Sequence, residues 1–337
     1  MGSTGYPRGM LQRRGFERSI AVLDAFEPAV AREFARTTAV ALRGFHADEG
    51  WGGGLLNRTG APLEISCATF SDDIRYSVEL SESETPPAAR LSRANALLEE
   101  LGRPMEPGIA IRRLGAMQEG ATLRWGAWLG IRHGKRGTAF KIYAEIPAQS
   151  NPAVDGLLAE YLVSLPTLSG GRAQPALIGQ ALDSDRCEIY FELPQRGLSV
   201  GDVERLLAHA ELKERKEALL ELVRSFEFRS GTGNAQALPE AQWGFSYSLL
   251  PGGREPVFSL FAFARDLAGG DGSMRRQILA ASRGRDWNLG CYPALSEPLT
   301  DWYFRSEYHN MISFVVAEAP MVGMQVSLSP PPQEPND

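Results

Sequence analysis

A strict two-residue alternation, written several times over, constrains this chain more than any other feature. Residues 140–147 read FKIYAEIP and residues 187–194 read CEIYFELP, so that Tyr143 answers Tyr190 and Pro147 answers Pro194. Along the first run Lys141, Tyr143 and Glu145 alternate with Phe140, Ile142, Ala144 and Ile146. Along the second, Arg186, Glu188, Tyr190 and Glu192 alternate with Cys187, Ile189, Phe191 and Leu193. Successive side chains of an extended chain point to opposite faces, so each run is a strand with one apolar and one polar face. Residues 73–80 repeat the device, with Asp73, Arg75, Ser77 and Glu79 opposing Ile74, Tyr76, Val78 and Leu80. In 123–132, Arg124, Trp128 and Arg132 oppose Trp125, Ala127, Leu129 and Ile131.

Ten such runs pair through short polar or Gly-bearing turns into five hairpins: 62–69 with 73–80, 123–133 with 138–147, 175–182 with 186–194, 242–250 with 256–264, and 311–317 with 323–330. Helical stretches at 86–102, 151–165, 199–226 and 273–287 separate them. Repeated helix–strand–strand–helix order gives an α+β fold and excludes a doubly wound parallel sheet. The helices are available to cover the apolar faces. The polar faces turn either to water, in an open sheet, or inward, in a closed barrel, and periodicity alone serves both equally. A ten-stranded barrel would enclose a lumen wide enough for a ligand and leave no strand edge.

Composition narrows the class. A chain of 337 residues with 43% hydrophobic and 23% charged residues is a soluble globular protein with a sizeable core. Its net charge of −6 argues against a general nucleic-acid partner. No run reaches the length of a membrane-spanning helix, so membrane insertion is not expected. The N-terminus lacks the apolar core of a secretory signal, which points to the cytoplasm. Cys67, Cys187 and Cys291 show no CxxC spacing and read as reduced core thiols. The four histidines carry no metal spacing, and no metal ligands are expected. The glycine clusters near Trp51 and Gly269 lack the Lys-Ser/Thr of a phosphate-binding loop. Residues 1–48 are expected to form a helical segment packed on a barrel of 49–330, with 331–337 a disordered proline-rich tail.

The stretches APLEISCATFSDDIRYSVEL, WGAWLGIRHGKRGTAFKIYAEIP, RCEIYFELP and HNMISFVVAEAPMVGMQVSLSP, in that order, resemble the ABBA-fold aromatic prenyltransferases. The spacing is similar to the indole prenyltransferases related to dimethylallyltryptophan synthases. DRCEIYFELPQRGLSVGDVERLL is similar to the bacterial phenol and naphthalene enzymes, and REPVFSLFAFARDL to the cyanobactin peptide prenyltransferases. The resemblance implies a closed ten-stranded antiparallel barrel of αββα units ringed by helices (the PT barrel), with chemistry in its lumen. It also implies the reaction. An allylic diphosphate ionises, and an electron-rich aromatic ring attacks the cation.

Such chemistry asks for fixed cations around the leaving group, aromatic faces around the carbocation, and a carboxylate for the acceptor. By motif position, Glu64 matches the acceptor-anchoring glutamate. Arg75, Lys141, Tyr143, Arg186 and Tyr190 match the diphosphate ligands. The departures are Glu188 where the family has a lysine, Ser259 and Phe261 where it has a lysine and a tyrosine, and Ser327 where it has a tyrosine. These four and Trp128 are assigned to the acceptor or prenyl pocket. Arg124 or Arg132 is a candidate to replace the missing cations. Glu188 reads either as an ion-pair partner of Arg186 or Lys141, or as a receptor for a cationic acceptor. Trp302 and Tyr303 are candidates to cap the lumen.

The expectation is a soluble prenyltransferase moving a dimethylallyl or geranyl group from its diphosphate to an indole or tryptophan. A peptide side chain (Trp, Tyr or Arg) is the alternative acceptor, and a non-catalytic small-molecule-binding barrel the alternative class. Prenyl diphosphate is then a co-substrate, no cofactor is required, Mg²⁺ is at most an enhancer, and the protein is a monomer or homodimer.

Overall fold

The structure is a computed structural model and describes residues 8–45, 50–80, 85–103, 109–148, 164–184, 186–226, 236–249, 257–301, 307–317 and 322–332. All ten expected strands form. They are β1 (Leu63–Ala68), β2 (Ser71–Glu79), β3 (Ala127–Gly134), β4 (Gly137–Glu145), β5 (Gln174–Ala181), β6 (Cys187–Glu192), β7 (Trp243–Leu249), β8 (Val257–Phe263), β9 (His309–Ala317) and β10 (Val322–Leu328). Every strand pairs antiparallel with its chain neighbours, and β1 pairs with β10 to close a barrel. Closure decides between the two architectures that alternation allowed.

Around the barrel lie α1 (Arg8–Phe26), α2 (Pro28–Ala41), α3 (Arg90–Glu100), α4 (Ile109–Gln118), α5 (Val200–His209), α6 (Lys216–Arg224), α7 (Ala264–Leu267), α8 (Asp271–Arg283) and α9 (Tyr292–Leu295). The outward strand residues Tyr76, Leu129, Ile142, Ile189, Phe245, Phe258, Phe314 and Val326 are buried with helix residues such as Phe34, Leu97, Leu207 and Leu219 in one core. Each such side chain contributes roughly 1.5–3 kcal/mol by leaving water. Since the apolar face is spent on the helices, the polar face lines the lumen.

Three local departures bear on the site. First, β3 begins at Ala127 rather than Leu123. The Glu145 carboxylate accepts the backbone N–H groups of Arg124 (3.0 Å), Trp125 (2.8 Å) and Gly126 (2.9 Å), which are thereby lost to the strand ladder. Arg124 is consequently not a lumen residue but an exposed one, 3.5 Å from Glu145 and 3.8 Å from Glu192. Trp125, expected on the helix side, instead stacks on Trp128 with ring centroids 3.9 Å apart.

Second, the expected single helix over 199–226 is two. Ser199 caps α5, accepting from the Asp202 N–H at 3.0 Å and donating to its carboxylate at 2.6 Å, a cap worth about 1 kcal/mol. The helix ends where Glu211 adopts φ 61° and the Leu212 N–H closes back on the Leu207 carbonyl at 2.8 Å. Third, the expected disordered tail does not begin at residue 331. Pro330, Pro331 and Pro332 are buried, anchored by the Ser329 N–H on the Tyr308 carbonyl at 2.8 Å. They lie against α1 at Gly15, where a Cβ would come within 2.2 Å of the Pro330 carbonyl oxygen. Prolines have little chain entropy to lose on ordering, and their rings are apolar. The expected helix at 151–165 falls largely outside the described residues, as do residues 333–337.

Candidate active site

Three cations line one side of the lumen on adjacent strands. Arg75 of β2 stands opposite Arg132 of β3, and Lys141 of β4 stands opposite Gly130 of β3. The Arg75 guanidinium lies 5.5 Å from the Phe70 ring, and its Nε is buried with no hydrogen-bond partner among the described residues. Burial lowers its pKa, and the facing Arg132 adds to the effect. Arg132 has a partial partner in Asp73, 3.6 Å away. Two arginines in register on neighbouring strands, with the Asp73 carboxylate 3.6 Å from Arg132, leave positive charge that an entering anion would satisfy. Of the two candidate replacement cations, Arg132 is therefore in position and Arg124 is not.

Lys141 reaches across β5 to β6. Its Nζ donates to Glu188 Oε2 at 2.5 Å and to the Tyr190 hydroxyl at 3.4 Å. Tyr190 donates to the same Oε2 at 2.8 Å, and Ser246 of β7 donates to Oε1 at 2.6 Å. The ammonium also sits 5.0 Å from the Tyr143 ring centroid and 5.6 Å from that of Tyr190. Burial is the largest single effect on each and disfavours both charges, yet the partner ion and the surrounding hydrogen bonds and charges together outweigh it: the Lys141 pKa is raised and the Glu188 pKa lowered. Glu188 is thus the partner of Lys141, and its oxygens are occupied by protein donors.

A glycine makes this pair possible. Gly179 of β5 lies between the two strands, opposite both Tyr143 and Glu188. A Cβ there would come within 2.4 Å of Lys141 Cε and 3.1 Å of Tyr143 Cε1. Gly179→Val is expected to push Lys141 off Glu188 and to cost about 1–3 kcal/mol, the usual penalty of overfilling a packed site. Chemical denaturation of the variant checks this.

Glu64 of β1 occupies another part of the wall. Its Oε2 accepts from Asn310 Nδ2 at 2.5 Å, and Ser327 adds a second hydrogen bond. Ser327 is itself hydrogen-bonded to Ser66 at 3.0 Å. Burial dominates these bonds and raises the Glu64 pKa from 4.5 to about 7. The sign follows directly: an acid with a raised folded pKa leaves stability intact at low pH and removes it as pH climbs from 4.5 to about 7. The loss is about 3 kcal/mol. Glu64→Gln is expected to flatten that part of the stability–pH curve, as urea titrations across the range would record.

Aromatic rings complete the lumen. Tyr143 and Tyr190 meet edge to face at 6.1 Å, and Phe261 of β8 tilts against Tyr190 at 6.1 Å. Trp128 is held by its stack on Trp125. Ser259 stands on the lumen face opposite Ser246. Arg186 is the residue the site does not gather in: it precedes β6 and is exposed. Trp302 and Tyr303 lie outside the described residues. Sequence reasoning missed Asn310, Ser66 and Ser246. Ser246 lies in an alternating run and was open to detection; Asn310 meets Glu64 only because β1 and β10 close the ring.

Among the described residues no group of three or more His, Cys, Asp or Glu side chains could hold a metal ion, and no helix is long and apolar enough to cross a membrane.

No protein-family model matches the chain. No curated protein matches it in sequence. Solved structures do. The 6-dimethylallyltryptophan synthase of Micromonospora olivasterospora, solved in complex with DMASPP and Trp, matches with a TM-score of 0.72 at 17% identity, over 97% of this chain and 98% of that one. The 5-dimethylallyltryptophan synthase of Streptomyces coelicolor matches with a TM-score of 0.71 at 15% identity, over 97% of each chain. The apo form of the prenyltransferase PriB matches with a TM-score of 0.69 at 17% identity, over 98% of this chain and 99% of that one. The chain has the fold of the ABBA aromatic prenyltransferases, over nearly its full length.

Proposed function

We propose that this protein is an aromatic prenyltransferase that moves a dimethylallyl group from its diphosphate to an indole, with tryptophan as the first acceptor to test. The observation that carries the proposal is the pair of arginines in register on β2 and β3, Arg75 and Arg132, with the buried Arg75 Nε unpartnered among the described residues. Fixed positive charge inside a shielded lumen is what a departing diphosphate needs. Arg75, Arg132, Lys141, Tyr143 and Tyr190 hold the leaving group. The faces of Tyr143, Tyr190 and Phe261 shield the allylic cation from water and stabilise it electrostatically. Glu64, kept partly protonated by burial, accepts a hydrogen bond from the acceptor's N–H in its ionised form, which stabilises the positive charge that develops on the ring.

The allylic C–O bond breaks with its electron pair leaving on diphosphate. The ring's π electrons then form the new C–C bond, and the ring proton is lost. The relatives solved with DMASPP and Trp support this choice of donor and acceptor. Turnover of dimethylallyl diphosphate with tryptophan, simple indoles and Trp- or Tyr-containing peptides, followed by mass spectrometry, tests it. Prenylated tryptophan is the expected product.

One observation favours the second reading, a non-catalytic barrel: Glu188 neutralises the cation that its family counterpart would have doubled. Retention of hydrophobic ligands with no prenylated product from any acceptor would establish that reading instead.

A further inference from the structure

Lys141 and Tyr190 hold diphosphate in the function proposed above, yet both already donate to one oxygen of Glu188, at 2.5 and 2.8 Å. Ser246 donates to the other at 2.6 Å. A carboxylate and a diphosphate are both acceptors only, so they compete for the same donors. Placing one beside the other sets like charges together in a confined, partly dry space, which strongly favours neutralising the carboxylate. We propose that Glu188 takes up a proton when the allylic diphosphate binds and returns it to the departing diphosphate as a general acid. This assignment rests on the prenyl-diphosphate reading and extends it to a residue at which the chain departs from the family pattern.

The charged and titratable groups facing Glu188 are Lys141 and Tyr143 from β4, Tyr190 from its own strand and Arg75 from β2; Ser246 faces it from β7, and β5 contributes only Gly179. Without ligand, Lys141, together with the hydrogen bonds from Ser246 and Tyr190, keeps the carboxylate ionised against burial. Once the ammonium and the Tyr190 hydroxyl turn to phosphate oxygens, only the Ser246 hydrogen bond still opposes burial, and a trianion is added nearby. Both changes favour the acid form. The proton then moves in balance. Solvent supplies it on binding, and it passes to a diphosphate oxygen as the C–O bond breaks. The freed carboxylate re-forms its pair with Lys141. The ring proton leaves separately, through Glu64 or water, so one proton enters and one departs per turnover.

The test is calorimetric titration of dimethylallyl thiolodiphosphate into the full-length protein at about pH 8, in Tris and in HEPES, whose ionisation heats differ. Wild type is expected to take up close to one proton per ligand bound. Glu188→Gln is expected to bind at least as tightly with no uptake, which separates Glu188 from Glu64 as the site of protonation. Its kcat with dimethylallyl diphosphate is expected to fall roughly 10²-fold; wild-type kcat is expected to decline at alkaline pH as bound-state Glu188 loses its proton, and the variant is expected to show no such decline. Binding to wild type without proton uptake would overturn the assignment, as would equal uptake in Glu188→Gln or an undiminished kcat. The wild-type arm needs no variant to fold. Absence of any binding heat in wild type would be a different failure, removing the diphosphate reading itself and this assignment with it.

Discussion

Arg75→Ala is expected to lower kcat/KM for an allylic diphosphate by roughly 10²–10³-fold, the usual cost of removing one fixed charge-stabilising donor. The same change is expected to leave the thermal midpoint unchanged or to raise it. Both halves follow from the geometry. Arg75 is half-buried, stands in register with Arg132 and has a buried Nε without a partner among the described residues, so it destabilises the empty barrel. Groups that cost stability and are satisfied only by ligand are where activity and stability trade against each other. A structural arginine would behave in the opposite way, with Arg75→Ala lowering the midpoint. Steady-state kinetics and a thermal melt on one preparation distinguish the two.

The largest stability effect is expected at the end of β2. Glu79 and Arg90 are both fully buried and lie 2.9 Å apart, joining the barrel wall to α3. Glu79 also accepts the Leu55 N–H at 2.5 Å, while Arg90 Nη1 reaches the Trp125 carbonyl at 3.4 Å. Glu79→Ala would strand a buried guanidinium and is expected to cost about 3–5 kcal/mol. The double replacement Glu79→Met, Arg90→Met is expected to recover most of that loss. Among the described residues Arg90 Nε and Nη2 have no partners even in the intact pair, so the pair is expensive to keep. Urea unfolding of the three proteins measures the difference. A double variant no more stable than Glu79→Ala would show that the two residues do not act as a pair.

How far the sequence could carry these conclusions depends on the range of each interaction. Alternation along 73–80 and 140–146 correctly placed Arg75, Lys141 and Tyr143 on the face opposite Tyr76 and Ile142, because side-chain direction in a strand is local. The same reasoning failed at Arg124 and Trp125, where the Glu145 carboxylate takes the backbone N–H groups and the strand never starts. Closure could not be read from periodicity, since an open sheet and a barrel share one pattern; the family resemblance supplied it. The Lys141–Glu188 contact depends on the register of β4 and β6 on β5 and on the missing side chain at Gly179. Pairing with Lys141 could be weighed from sequence but not chosen over pairing with Arg186. Glu79 was visible only as one more polar residue of β2, because nothing local announces that Arg90 folds back onto it.

The lumen as a prenyl-transfer chamber is tested most directly by a crystal structure with dimethylallyl thiolodiphosphate and tryptophan bound. The diphosphate is expected between Arg75, Arg132 and Lys141, with an oxygen within hydrogen-bond reach of Arg75 Nε, and the indole N–H is expected on Glu64. Diphosphate bound outside the barrel, or a lumen that excludes it at saturating ligand, would contradict the account.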